Sequence, residues 1–469
     1  MAEEFDLVVV GGGPGGYAAA LYAAAAGMSV AVVEKDKVGG TCLHRGCIPA
    51  KHYLETASVF RTVAGAKEFG VQADQPLLDL GISRDRKQKV VDQLWKGLQS
   101  LMKRRKIKTY AGTGRLGADQ VVTVDGTATG GSAGTQLHGR HVVLATGSVP
   151  RTIPGFEPDG SKILTSDHVV EIDALPASAA VIGGGAIGCE FASMLSDLGC
   201  DVTLLEALPK LLPGCDADVV DVVVKSFKRR GMTVRTGVTV DGQEQSNGQV
   251  TVRLGDGEPV TVDTVVVSVG RRPLTDGLGL EDTKVEVDAK GFITVDSRQR
   301  TAEDGVYAVG DVVATPQLAH VGFAEAIVAV RDMLGEPVDP VDYGKVPWCI
   351  YCHPEVAFAG MTEQAARDAG HEVTVSKHSF NANSRALIIG DAEGLVKVIA
   401  EKGPDGKAGP ILGVHMVGPW VTEQLGEGWL SVNWEATPDD MGRLIHPHPT
   451  LSETFGETVL SLTGRGLHG

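Results

Sequence analysis

Two cysteines five positions apart, Cys42 and Cys47, stand in the run Gly39-Gly40-Thr41-Cys42-Leu43-His44-Arg45-Gly46-Cys47-Ile48-Pro49-Ala50-Lys51. A bridge between them closes so short a loop that it removes little entropy from the unfolded chain and stabilises weakly. Nothing in the sequence reads as an export signal, and lasting structural disulfides are unusual in reducing compartments. Such a bridge is better suited to opening and closing. Near the other end, His446-Pro447-His448-Pro449-Thr450-Leu451-Ser452-Glu453 sets a histidine five residues before a glutamate across a His-Pro turn. That spacing suits an imidazole that moves a proton near neutral pH and a carboxylate that orients it. His448 and Glu453 are the candidates, and His446 reads as a structural neighbour.

Other residues must position this chemistry. A strand over 5–10 leads into Gly11-x-Gly13-x-x-Gly16, an alanine-rich helix and a second strand over 29–34. In such a turn the first glycine makes the bend, the second lets backbone approach a pyrophosphate, and the third lets the helix pack on the strand. Glu34 then accepts hydrogen bonds from a ribose. The pattern recurs: a strand over 179–182, Gly183-x-Gly185-x-x-Gly188, a helix over 189–198, and a strand over 201–206 ending in Glu206. Each copy places its glutamate 23 positions after its first glycine. Two units imply two dinucleotide sites, and a flavin in one would exchange electrons with the cysteine pair. Glu206 would repel a 2′-phosphate, and the following Ala207-Leu208-Pro209 offers no arginine, so NAD is expected over NADP.

Residues 111–145 and 235–300 read as short strands with turns at Asp125-Gly126 and Gly255-Asp256-Gly257. An amphipathic helix shows Val90, Leu94, Leu98 and Leu101 on one face and ends in Lys103-Arg104-Arg105-Lys106, cations that suit a helix C-terminus. Pro347 opens a different composition, with strands over 373–376 and 395–399 and helices over 422–432 and after the His-Pro segment. The stretch 346–359 reads as one strand. Cys349 and Cys352, with His353, imitate a haem-attachment string, but positions three apart on a strand face opposite sides. Neither a bridge nor a metal site is expected there. Cys189, Cys200 and Cys215 read as isolated thiols.

Length and composition bound the rest. A chain of 469 residues suggests about three domains at ~150 residues each. Hydrophobic residues make up 43%, enough for several cores, and 61 glycines fit many tight turns. The net charge of −16 disfavours nucleic acid and anionic membranes as partners. The apolar stretch 17–26 is too short to span a bilayer, and a cytoplasmic protein is expected.

Over residues 5 to 460 these motifs make the chain resemble the two-cysteine flavoprotein disulfide reductases, the class I pyridine nucleotide-disulfide oxidoreductases. The resemblance implies an α/β fold: two Rossmann-like dinucleotide-binding domains, for FAD and NAD, plus a C-terminal α+β dimerisation domain. The implied boundaries are 1–150 for the first part of the FAD domain, 151–272 for the NAD domain, 273–345 for the second part of the FAD/central domain and 346–469 for the interface domain. It implies FAD contacts from Gly11, Gly13, Gly16, Glu34, Thr41, Lys51, Gly114, Thr146, Gly147, Ser148, Asp311, Leu318, Ala319 and His320. Asp311 would bind the ribityl chain, although a helix N-cap is its plainer reading. NAD contacts are implied for Gly183, Gly185, Gly188, Glu190, Glu206, Val238 and Gly270. Lys51, four residues after Cys47 on one helical face, would pair with Glu190 near the flavin.

The tail His-Pro-Thr-Leu-Ser-Glu resembles the branch of the family that oxidises dihydrolipoamide and reduces NAD⁺. Cys42 would then be the interchange sulfur, Cys47 the sulfur nearer the flavin, and His448 the acid-base catalyst reaching across a homodimer. Implied partners are lipoylated carrier domains and the acyltransferase (E2) core of the 2-oxo acid dehydrogenase complexes, or the glycine cleavage system. Two other readings stay open: another NAD(P)H-dependent disulfide or quinone reductase (a diaphorase) on the same scaffold, and an assembly component whose flavin is idle. His44-Arg45 replaces the family's common Asn-Val, Pro447 replaces an alanine, and Trp420, Trp429 and Trp434 are unusual. Arg45, and His44 when protonated, would favour thiolate at the neighbouring sulfurs, or else belong to a solvated loop without effect.

Overall fold

The first strand, Glu3–Val10, shows why its sequence is a continuous apolar run. Val8 and Val10 pack into one core, with Ala31, Val33, Val142 and Leu144. Leu7 and Val9 pack into another on the opposite face, with Val30, Val32 and Val143. Strands covered on both faces read as unbroken hydrophobic stretches, the signature of a parallel sheet inside an α/β layer. The computed structural model describes residues 2–126 and 134–468. Asp125 ends strand Val121–Asp125, and the residues that follow the expected Asp125-Gly126 turn, 127–133, lie outside the described residues.

The chain divides into two compact units. The first comprises Met1–Tyr53, Asp79–Arg151 and Arg271–Tyr343, and the second Leu54–Leu78, Thr152–Gly270 and Gly344–Gly469. The first is built on a seven-stranded sheet in the order Lys108–Ala111, Val30–Glu34, Glu3–Val10, Thr135–Leu144, Val121–Asp125, Thr113–Leu116, with Val306–Ala308 also pairing with Thr135–Leu144. The pairs around Glu3–Val10 are parallel, whereas Val121–Asp125 runs antiparallel to both neighbours. Helices Pro14–Ala25 and Ala319–Met333 cover one face. Ala19, Ala20 and Ala23 are fully buried, and their small side chains let the helix approach the sheet closely.

Helix Leu80–Arg104 starts with Asp79 as N-cap, whose carboxylate accepts the Ile82 N–H at 2.9 Å. Its inward face carries Ser83, Lys87, Val91 and Met102. The stripe expected through Val90, Leu94, Leu98 and Leu101 is therefore turned: Leu94 is exposed, while Trp95 joins Leu98 against the core. Trp95 and Met102 offer more apolar area than Val90 and Leu94, and burying them wins.

The second unit holds a parallel five-stranded sheet in the order Thr233–Thr236, Asp201–Glu206, Ser178–Ile182, Thr264–Val267, Ile163–Thr165. An antiparallel meander of Val240–Ser246, Gln249–Leu254 and Val260–Val262 belongs to it, with the Gly255-Asp256-Gly257 turn between its last two strands. The C-terminal sheet is wholly antiparallel, in the order Trp348–Ile350, Glu355–Gly360, Ala408–Gly418, Leu395–Lys402, Val373–Ser379. Helices Val421–Asn433 and Glu453–Leu462 contribute Val421, Leu425, Phe455 and Val459 to its core. This is the α/β architecture expected. One detail differs: residues 346–359 form two antiparallel strands, with Trp348 opposite Phe358. Pro354 has no N–H for a ladder and lies at the break. Cys349 and Cys352 are free thiols, on the first strand and in the turn.

Candidate active site

Cys42 lies in the short helix Gly40–His44, and Cys47 is the first residue of helix Cys47–Gly65. The two form a disulfide with Cα atoms 4.6 Å apart. Position matters here. A thiolate released at Cys47 meets the unpaired amides and positive dipole end of a 19-residue helix, which favour the anion. Four of the five other cysteines are poor nucleophiles. Burial pushes the Cys189 and Cys352 thiols far up, and those of Cys200 and Cys215 up to about 12.

Arg45 has an anionic partner of its own. Its guanidinium pairs with Asp36, and His44 Nε2 lies 3.0 Å from the Val38 carbonyl oxygen. Lys51 sits one turn into helix Cys47–Gly65. The next residue, His52, is buried. Arg86, which can only donate, lies 3.1 Å from its Nδ1, so Nε2 carries the proton and donates to the Ser83 carbonyl at 2.9 Å. Burial, helped by the Arg86 charge, holds its pKa below the usual histidine range. A neutral imidazole thus ties the helix bearing Cys47 and Lys51 to helix Leu80–Arg104.

Both glycine turns are built alike. A Cβ on Gly16 would land on the Gly11 carbonyl oxygen, and one on Gly188 would land on that of Gly183. The middle glycines, Gly13 and Gly185, have nothing within 4 Å of a Cβ position, so the space in front of each turn is open to a ligand. Each glutamate also has a task that sequence reading missed. Glu34 accepts the Gly12 N–H at 2.6 Å on Oε2 and the Asp36 N–H at 2.8 Å on Oε1. Glu206 accepts the Gly184 N–H at 2.5 Å and the Leu208 N–H at 2.7 Å. The carboxylate clamps the turn to the strand end and keeps lone pairs for ribose hydroxyls. Val238 donates its N–H to the Glu206 carbonyl at 3.0 Å. Gly270, at φ 99°, ends the segment after strand Thr264–Val267.

The flavin candidates fall into two groups. Ser148 Oγ donates to Asp311 Oδ2 at 2.6 Å. Arg271 donates to the Ser148 hydroxyl at 2.6 Å and to its carbonyl at 2.8 Å, and its Nε lies 3.8 Å from Asp311 Oδ2. Asp311 sits inside the turn Gly310–Val312 and does not cap a helix. Arg271 is the partner of these candidate residues that sequence reading missed. Its signal was the Arg271-Arg272-Pro273 run directly after Gly270, of which only the glycine was singled out. Thr146 Oγ1 donates to the Leu274 carbonyl at 2.6 Å, and Gly147 accepts the Leu274 N–H at 2.9 Å. Leu318 caps helix Ala319–Met333, so Ala319 and His320 lie at its N-terminus. Thr41 is in helix Gly40–His44, beside Cys42. Gly114 lies in strand Thr113–Leu116, where a Cβ would meet Val10 Cγ1 at 2.8 Å.

In the second unit, Glu190 is buried in helix Ala186–Asp197 and accepts the Tyr351 N–H at 2.9 Å. His448 Nδ1 lies 2.9 Å from Glu453 Oε1, and Glu453 Oε2 accepts the Thr450 N–H at 2.7 Å. Asn383 Nδ2 holds the Thr450 carbonyl at 2.9 Å. Burial opposes the Glu453 charge, but the Thr450 amide and His448 outweigh it and hold the carboxyl below its usual range. With Nδ1 committed, His448 presents Nε2 outward from a side chain 70% exposed. His446 belongs to a separate pair, its Nε2 2.9 Å from Glu427 Oε1. Among the described residues no group of three or more His, Cys, Asp or Glu side chains could hold a metal ion.

Comparison with known proteins agrees with this chemistry. Residues 5–326 match the pyridine nucleotide-disulphide oxidoreductase family, and residues 346–459 match that family's dimerisation domain. Dihydrolipoyl dehydrogenase from Bacillus subtilis is 42% identical, with 100% of both chains covered. The enzyme of that name from Haloferax volcanii is 39% identical over 100% of this chain and 98% of its own. Among solved structures, LpdA from Mycobacterium tuberculosis superposes with a TM-score of 0.91 at 26% identity, covering 98% of this chain and 100% of that one. The HOCl-induced flavoprotein disulfide reductase RclA from Escherichia coli gives 0.86 at 25% identity, covering 97% and 99%. With a redox bridge, two glycine turns each clamped by a glutamate, and these relatives along its whole length, the chain belongs to the pyridine nucleotide-disulphide oxidoreductase family.

Proposed function

We propose that this protein is a dihydrolipoyl dehydrogenase, which oxidises protein-bound dihydrolipoamide and reduces NAD⁺ to NADH. The observation that carries the reading is the Cys42–Cys47 bridge, with Cys47 at a helix N-terminus, in a chain 42% identical to an enzyme of that name. Residues 1–150 and 273–345 form the FAD domain, 151–272 the NAD domain and 346–469 the dimerisation domain of a homodimer. The open turn at Gly13 with Glu34 fits FAD, and that at Gly185 with Glu206 fits NAD.

His448 of the partner subunit, oriented by its glutamate, takes a proton from one substrate thiol. The thiolate attacks Cys42 Sγ, the Cys42–Cys47 bond breaks, and Cys47 leaves as a thiolate favoured by the helix. The second substrate thiol attacks the mixed disulfide at the substrate's own sulfur. That closes the lipoamide ring and releases Cys42, whose sulfur takes the proton held by the histidine, and the freed imidazole takes the proton of the second substrate thiol. FAD, held at the Gly11–Gly16 turn with Glu34 and Asp311, would supply the electron acceptor that links the cysteine dithiol to NAD⁺. Arg271 and Ser148 hold the Asp311 carboxylate in place throughout.

The partners are lipoylated carrier domains and the acyltransferase core of a 2-oxo acid dehydrogenase complex or of the glycine cleavage system. The setting is the cytoplasm. Among the described residues no helix is long and apolar enough to cross a membrane. The decisive assay follows NAD⁺ reduction with free dihydrolipoamide and then with lipoylated carrier proteins. NADH oxidation by quinones without lipoamide turnover would sink the reading in favour of a diaphorase.

A further inference from the structure

Behind Asp311 lies a closed ring of contacts outside the redox chemistry. Glu325, in helix Ala319–Met333, has no exposed surface. Its Oε2 accepts the Gly310 N–H at 2.6 Å, and its Oε1 accepts the Tyr343 hydroxyl at 3.0 Å. Tyr343 in turn accepts from Gln299 Nε2 at 3.0 Å. Gln299 is 2% exposed and sits at φ 67°, a left-handed conformation uncommon outside glycine. Its carbonyl accepts the Ala308 N–H at 3.1 Å, on the strand that leads into Gly310. The ring therefore runs from strand Val306–Ala308 through Gln299, Tyr343 and Glu325 back to the turn at that strand's end.

Its place in the chain explains the carboxylate. The last sheet bond of this strand is Val309 N–H to the Leu144 carbonyl at 3.0 Å. Gly310, at φ 75°, then turns its N–H away from the ladder. A buried amide without an acceptor is destabilising. Glu325 supplies that acceptor, and no cation pairs with it among the described residues. Such a buried carboxylate is expensive, and burial pushes its pKa up. A neutral glutamine could satisfy Gly310 alone. The second carboxylate oxygen ties the turn to Tyr343 and, through Gln299, to the strand. On the other side of Gly310, a Cβ would meet nothing within 4 Å. The turn is thus braced from behind and open in front, and the next residue is Asp311.

We propose that Glu325, braced by Tyr343 and Gln299, is a positioning residue that sets the Asp311 carboxylate for the flavin. This rests on the FAD site proposed above. Glu325 touches neither reacting sulfurs nor nicotinamide, so its effect should appear in flavin affinity and leave the NAD side alone.

The test uses purified holoprotein and measures FAD dissociation by the fluorescence of released flavin, NAD⁺ affinity by titration, and thermal unfolding of the flavin-free protein. Glu325→Ala should weaken FAD binding about tenfold or more, with NAD⁺ affinity unchanged. Glu325→Gln should recover most of the loss. FAD affinity of Glu325→Ala within about twofold of the parent would overturn the proposal. So would an equal loss for FAD and NAD⁺, which would mark a general loosening. If Glu325→Ala does not fold, Tyr343→Phe carries the test, with FAD expected about threefold weaker. Unchanged FAD affinity in that variant would also overturn the role. A parent protein that retains no flavin fails the functional reading itself, before any variant is made.

Discussion

The Nδ1 atom of His448 lies 2.9 Å from Oε1 of Glu453, whose other oxygen holds the Thr450 N–H at 2.7 Å. The carboxylate is fixed by backbone before it meets the imidazole, so it sets both the ring's orientation and its tautomer. This is the arrangement expected of an oriented general base.

His448→Gln should lower dihydrolipoamide turnover by about 10²- to 10⁴-fold while NADH oxidation by artificial acceptors persists. Hydride exchange with the flavin does not require that proton transfer. Mixing this variant with Cys47→Ser should form heterodimers with one intact site and restore part of the lipoamide activity. Demonstrated heterodimers with no recovery would place the histidine within its own chain or outside the chemistry.

Cys42→Ser and Cys47→Ser should each abolish lipoamide turnover while FAD stays bound. The Arg45–Asp36 ion pair gives a sharper expectation for the loop between them. Because that charge is already matched, Arg45→Ala should leave unchanged the pH midpoint of the thiolate-to-flavin absorbance band of reduced enzyme. A midpoint displaced to higher pH would show that Arg45 acts on the sulfurs after all.

Glu206→Ala should cost more than ribose contacts, since it leaves the Gly184 and Leu208 amides without their acceptor. The expected result is a fall of about tenfold in kcat/KM for NAD⁺, with a lower unfolding temperature. Steady-state kinetics with both nucleotides should also show the preference over NADP⁺ shrinking. A higher kcat/KM for NADP⁺ in the parent enzyme would mean that the glutamate has been misread.

His446 offers a pH test. Its hydrogen bond to Glu427 raises its pKa above the ordinary histidine value. A raised folded-state pKa contributes stability that is fully present below the unfolded value, about 6.5, and is lost as pH rises through the folded value. Glu427→Gln should therefore lower the thermal midpoint at pH 6 more than at pH 8.5. An equal drop at both values would show that the ion pair contributes nothing that titrates. Glu453 has the opposite sign: its depressed pKa gives stability above about pH 4.3 that is lost as pH falls through the folded value.

What the sequence determined by itself was local. The spacing of Gly11, Gly13, Gly16 and Glu34, its repeat at Gly183 to Glu206, the Cys42–Cys47 loop and the His448–Glu453 pair each lie within a single strand-turn-helix unit or turn. There, backbone geometry converts spacing directly into position. Tertiary structure decided what meets across distant segments. Arg271 reaches Ser148 from 123 residues away, and Tyr343 braces Glu325 behind Gly310. Arg45 finds Asp36, and Trp95 turns helix Leu80–Arg104 by one residue from its expected face. Apolar periodicity tells which face of an element is buried. The polar atom that meets another there depends on how separate strands and helices pack, and no local pattern encodes it.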